Sequence, residues 1–148
     1  MLAYNGDLGW WALGILKASK LNRLEIEWCH LDVGGNTCIR CSETGQALNG
    51  VVGQLADECR SCGWEIVFKE TKLNEKDIAS SNVILFNSIP IEDILPEGKA
   101  SESHGNSCCE LTGDEQICCR TLEYGGKIFE SIPASLIREA VCKVVGCC

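Results

Sequence analysis

The sequence predicts an α/β fold, a mixed sheet with flanking helices, and three observations carry that expectation. Residues 24–28 and 64–68 alternate apolar and charged side chains with the period of 2 that marks a half-buried strand. Residues 44–59 repeat apolar side chains at helical spacing between those strands. The closing stretch carries a second helical stripe.

In chain order, Leu24, Ile26 and Trp28 alternate with Glu25 and Glu27 to form strand one. Leu48, Val51, Leu55 and Cys59 line helix one, which Gly50 and Gly53 weaken and Gly63 stops. Trp64, Ile66 and Phe68 form strand two, and the short apolar run 83–86 forms strand three, central because it is apolar on both faces. Residues 89–95 read as a turn and a short edge strand. Residues 97–120 lack periodicity and are expected to be a cysteine-rich loop. Gly125-Gly126 marks a hairpin turn. Pro133 opens a last helix whose stripe runs through Leu136, Ile137, Ala140, Val141 and Val144 to Gly146. Residues 1–22, with adjacent Trp10 and Trp11, fit neither pattern and are expected to be an N-terminal extension, leaving 23–148 as one domain.

A formal charge of -8 repels phosphate backbones and anionic headgroups, so nucleic acid is not expected as a partner. No run approaches the roughly 20 apolar residues a membrane span requires, and no secretory signal opens the chain. A cytoplasmic protein without stable membrane insertion is therefore expected. Its 12 cysteines stand at the density where a short secreted chain would be a disulfide scaffold. In a reducing compartment the same density points to metal binding or redox chemistry.

Cys38-Ile39-Arg40-Cys41 falls between strand one and helix one, where the helix N-terminus and Arg40 favour a thiolate. Its polar neighbours Asn36, Thr37 and Ser42 suggest an accessible loop. Two cysteines at this spacing reach one ion or pair with each other. The loop adds Cys108, Cys109, Cys118 and Cys119, with His104 as the better ligand candidate of the two histidines. The sharpest expectation is a tetrahedral thiolate site from Cys38, Cys41 and one cysteine of each doublet. Cys59 and Cys62 repeat the spacing at the far end of helix one, roughly 20 Å away for a 15-residue helix and too far to share that ion. Cys147-Cys148 is expected to be a mobile tail, either a soft-ion trap or frayed, and Cys29 and Cys142 are expected to pack.

Strand, C-x-x-C and helix in succession have the organisation of a thioredoxin-like fold. The motifs L-E-I-E-W-C-H-L-D, T-C-I-R-C, K-E-T-K-L and C-R-T-L-E-Y together resemble a prokaryotic, cysteine-rich, thioredoxin-like domain of unknown function over Leu24 to Val145. That resemblance implies a fold and cysteine positions at Cys38, Cys41, Cys109 and Cys119, with a further one replaced by Gly105. Thioredoxins proper place a proline before the third strand, facing the C-x-x-C pair; here the stretch is Ala79-Ser80-Ser81-Asn82. The missing proline weighs against ordinary disulfide exchange and for metal binding.

Two functions are therefore expected. The first is binding of a soft metal or metalloid: zinc, mercury, arsenic(III) or an iron-sulfur centre. The second is a thiol-disulfide oxidoreductase with Cys38 attacking, Cys41 resolving and a redox protein as partner. A third possibility, a secreted chain with six structural disulfides, predicts no thiols at all.

Overall fold

The computed structural model describes residues 21–104 and 118–148, so residues 1–20 of the expected extension, Cys108 and Cys109 lie outside the described residues, while Asn22, at the extension's expected end, already opens the first strand. Strand β1 (Asn22–Leu31) is longer than its alternating core and occupies the interior of a four-stranded sheet. It runs parallel to β2 (Trp64–Leu73) and antiparallel to β3 (Val83–Phe86), which pairs antiparallel with the edge strand β4 (Ile89–Pro90). The order is β2-β1-β3-β4. The expected interior place of strand three is met, since its apolar residues are covered from both faces.

Helix α1 (Ile39–Ser61) crosses from β1 to β2, and its 23 residues span about 34 Å. It is a turn and a half longer at the front than the apolar stripe suggests, because Cys38 serves as N-cap and the C-x-x-C is the first turn itself. Gly63, at φ +87°, ends it in the left-handed region that glycine enters at little cost. A 3-10 helix (Glu75–Ser80) and the single turn α2 (Ile91–Ile94) connect the later strands. Helix α3 (Ala134–Val145) closes the fold with Pro133 as N-cap and Gly146 at φ +79° as C-cap.

The expected loop 97–120 is corrected at both ends. β5 (Lys99–His104) and β6 (Cys118–Tyr124) pair antiparallel, and β7 (Lys127–Phe129) completes a separate three-stranded sheet. Lys99–His104 has no alternating apolar pattern, so its strand comes from ladder hydrogen bonds and cross-strand contacts such as Ser101 Oγ to Thr121 Oγ1 at 2.6 Å. The Gly125-Gly126 hairpin stands as expected, with both glycines at positive φ.

One core joins the layers: Leu24 and Ile26 of β1, Leu48 and Leu55 of α1, Phe86 of β3 and Ile137 of α3 are all fully or almost fully buried. Each such side chain contributes about 1.5–3 kcal/mol of transfer free energy. Trp28 reaches so far into α1 that a Cβ on Gly45 would lie 2.4 Å from the indole.

Candidate dithiol site

Three neighbouring pieces of chain build the site. The end of β1 and the turn after it bring His30 and Thr37, the first turn of α1 brings Cys38 and Cys41, and the residue before Asn82 brings Ser81. The Cys38 carbonyl accepts the first helical hydrogen bond from Ser42 N at 2.9 Å, and Cys38, with an extended backbone, is the N-cap without a side-chain hydrogen bond to the helix. Cys41 follows three residues on, and its thiol is hydrogen-bonded to Cys38.

The two sulfurs are not equivalent. That hydrogen bond to Cys38, then burial, then the electrostatic influence of Cys38 push the Cys41 thiol far above the usual thiol range, so Cys41 is held in its protonated form. Hydrogen bonds from Ser81 and Thr37 work in the opposite direction. Ser81 Oγ lies 3.3 Å from Cys41 Sγ and accepts Leu31 N–H at 3.1 Å. With Leu31 on its lone pair, the Ser81 hydroxyl hydrogen is left for the sulfur.

The expected accessible loop is corrected. Cys38 and Cys41 are 3% and 1% exposed, because the helix begins at once and draws its first turn into the core. The exposed member of the motif is Ile39, at 66%. Arg40 is buried and reaches Glu130 Oε1 at 3.2 Å. Its carbonyl accepts from Thr44 Oγ1, which in turn accepts Ile132 N–H and so ties the first helical turn to the start of α3.

Beside the pair, His30 is 3% exposed and stacks on Trp28 with ring centroids 4.0 Å apart. Its Nε2 lies 2.6 Å from Glu70 Oε2, and its Nδ1 lies 3.2 Å from Thr37 Oγ1 and 3.1 Å from the Leu31 carbonyl. An open cavity of about 270 Å³ lies on this side, lined by Trp28, His30, Thr37 and Glu70 among others. The sequence did hold a signal for His30: the alternation Leu24, Ile26, Trp28 extended by one more step places it on the same buried face.

The remaining cysteines divide. Cys118 and Cys119 open β6 in register with His104 and Ser103, and the positions of their side chains and of Cys108 and Cys109 fall outside the description. Among the described residues no group of three or more His, Cys, Asp or Glu could hold a metal ion. Cys147 and Cys148 are not a loose tail: Cys147 is disulfide-bonded to Cys62, and Cys148 to Cys142. The turn at Gly146 folds the tail back over the ends of α1 and α3, which makes both bonds reachable. Cys142, expected only to pack, is thus a cross-link. Cys59 is a buried thiol raised above its usual pKa by burial and then by Glu58. Unlinked thiols at Cys29, Cys41 and Cys59 contradict six structural disulfides.

Residues 24–141 match the family described as Domain of unknown function (DUF2703). The chain belongs to this family. A relative, an "Uncharacterized protein" of Archaeoglobus fulgidus, is 35% identical over 119 residues, covering 78% of this chain and 82% of the relative. The family match spans every described element from β1 into α3. No solved structure matches the chain. No helix among the described residues is long and apolar enough to cross a membrane.

Proposed function

We propose that this DUF2703 chain is a thioredoxin-like thiol-disulfide oxidoreductase acting through Cys38 and Cys41. The observation that carries the reading is the hydrogen-bonded pair at the N-terminus of α1, in which the buried second sulfur holds its proton tightly. The order β2-β1-β3-β4, with β1 parallel to β2 and antiparallel to β3, supports the thioredoxin-like layout around it. Exchange needs only the two sulfurs that the described fold brings together. A zinc, arsenic(III) or iron-sulfur site needs at least one more ligand.

In the forward direction the Cys38 thiolate attacks one sulfur of a substrate disulfide, and the other sulfur leaves as a thiolate that takes up a proton. Cys41 then loses its proton and attacks Cys38 Sγ, which releases the second substrate thiol and leaves a Cys38–Cys41 disulfide. Two electrons pass from the pair to the substrate, and an external dithiol restores the pair. Cytoplasmic residence belongs to the same proposal, because turnover draws on a pool of reduced thiols.

Ser81 changes the weight of the missing proline. A hydroxyl aimed at Cys41 stabilises the resolving thiolate, which favours exchange. Reduction of a model disulfide with dithiothreitol as the recycling dithiol tests the reading. Turnover is expected in the wild type, to be lost in Cys38→Ser, and to stop at a trapped mixed disulfide in Cys41→Ser. A wild-type protein that is reduced yet inactive overturns it.

A further inference from the structure

The two disulfides gather four sulfurs where the tail crosses the C-terminal ends of α1 and α3. Those helices lie side by side, joined where Arg138 donates to Gln54 Oε1 at 3.0 Å. Gly146 turns the chain through the left-handed region and donates its N–H to the Cys142 carbonyl at 2.7 Å. The next two residues then reach different helices. Cys147 is bonded to Cys62, the C-cap of α1, with Cα atoms 6.4 Å apart, and Cys148 to Cys142, in the last turn of α3, with Cα atoms 5.1 Å apart. Cys147 and Cys148 are chain neighbours, so their own Cα atoms are about 3.8 Å apart. One short stretch of surface therefore holds all four cysteines.

That surface is open to reagents. Cys62, Cys147 and Cys148 are exposed and Cys142 is half-buried, whereas Cys59, one turn earlier on α1, is buried in the core and stands apart from the group. Exposed disulfides are the labile ones, and a reducing compartment opens them. A dithiol gives two electrons and two protons to each S–S bond and is itself oxidised to a disulfide. Two dithiols thus leave four thiols where two cross-links stood. The chain then loses the closure of the loop of sequence separation 85 between Cys62 and Cys147. An ion held by all four sulfurs closes it again.

We propose that Cys62, Cys142, Cys147 and Cys148, once reduced, form a tetrahedral thiolate site for zinc or a divalent cation of like softness. A closed zinc site takes four sulfurs at about 2.3 Å from the ion and so about 3.8 Å from one another, a separation that former disulfide partners reach by side-chain rotation. Bonded in pairs the sulfurs are not ligands, and in that state the described residues hold no metal-binding group. Reduction creates the donor set. The ion then replaces the thiol protons, which pass to solvent, and no electrons move in that step. The carbonyl ends of α1 and α3 favour a cation, and Arg60 and Lys143 in their last turns offset the negative charge of four thiolates around one divalent ion. Cys38 and Cys41 take no part, since they stand at the other end of the 23-residue α1, about 34 Å long.

Full-length protein, reduced anaerobically with a phosphine and then freed of it, is titrated with zinc ion against a chromophoric chelator. The reduced wild type is expected to bind one equivalent more than the protein with both disulfides intact, and zinc to restore the urea midpoint that reduction lowers. Cys62→Ser and Cys148→Ser are each expected to weaken that equivalent by more than about 100-fold, beyond the cost of losing an outer-shell partner. Neither substitution removes a cross-link from the reduced chain, so the zinc-free reduced variants are expected to unfold at the reduced wild-type midpoint, which separates a lost ligand from a lost fold. Cys38→Ser/Cys41→Ser is expected to keep the site. A reduced wild type that takes up no more zinc than the disulfide form overturns the proposal, as do Cys62→Ser and Cys148→Ser proteins that bind like the wild type. Binding lost only in Cys38→Ser/Cys41→Ser overturns it too, by placing the ion at the dithiol. Disulfide exchange at Cys38 is tested separately and does not depend on any of these results.

Discussion

Three glycines on α1 give a stability test with opposite signs within one helix. In an exposed helix interior, Gly→Ala stabilises by about 1 kcal/mol through backbone entropy and propensity. Gly50 and Gly53 are exposed, and an added Cβ would meet nothing within 4 Å, so each Ala variant is expected to gain about that amount. At Gly45 the new Cβ would lie 2.4, 2.8 and 3.0 Å from three atoms of the Trp28 indole. The indole cannot move freely, since it stacks on His30 and its Nε1 donates to Asn82 Oδ1 at 3.4 Å. Overpacking of this kind costs about 1–3 kcal/mol. Subtracting the helix gain leaves Gly45→Ala between neutral and about 2 kcal/mol destabilised, and the gap to Gly50→Ala isolates the packing cost itself. Urea unfolding of the three variants, with the disulfides kept intact, measures it. A Gly45→Ala protein as stabilised as Gly50→Ala would refute the contact between Trp28 and the first turns of α1, and with it the placement of His30.

Other outcomes follow from the same geometry. Ser81→Ala strands the buried Leu31 N–H and is expected to cost about 1–3 kcal/mol in urea unfolding, with the Cys41 thiol pushed further upward because one donor to its sulfur is gone. Burial, followed by the charge of Glu27, raises Cys29 from 9.0 to about 11. The folded state therefore holds that proton more tightly than the unfolded chain, and the resulting stability is complete below pH 9 and lost as pH rises to about 11. Comparing wild type with Cys29→Ala across that window isolates the effect. Cys62→Ser opens a cross-link of sequence separation 85 and Cys142→Ser one of separation 6. In the chain-entropy account the first is expected to cost about 4–5 kcal/mol and the second about 2 kcal/mol, read from denaturant midpoints under non-reducing conditions.

The order of the main elements, the interior place of β3, the Gly125-Gly126 hairpin and the stops at Gly63 and Gly146 were all legible in the sequence. Each is written in local periodicity or in a residue with one backbone preference. The Cys38/Cys41 pair was legible for the same reason, since two thiols three residues apart meet wherever a helix begins. Pairing between distant segments was not. β5 has no alternating pattern and exists because β6 offers it a ladder, and the partners of Cys147 and Cys148 depend on where the tail folds back over two helix ends. Burial of the pair was hidden as well, because polar neighbours describe the chain around a thiol and not what packs over it. The groups that tune Cys41 come from the helix N-cap at Cys38, the turn after β1 at Thr37, and Ser81 two residues ahead of β3, up to 40 positions away. Composition and spacing singled out the thiols as the candidate reactive groups. Only the tertiary structure decided which thiols stand together and which hydroxyls and imidazole surround them, because hydrogen bonds between strands and turns join residues that share no local pattern.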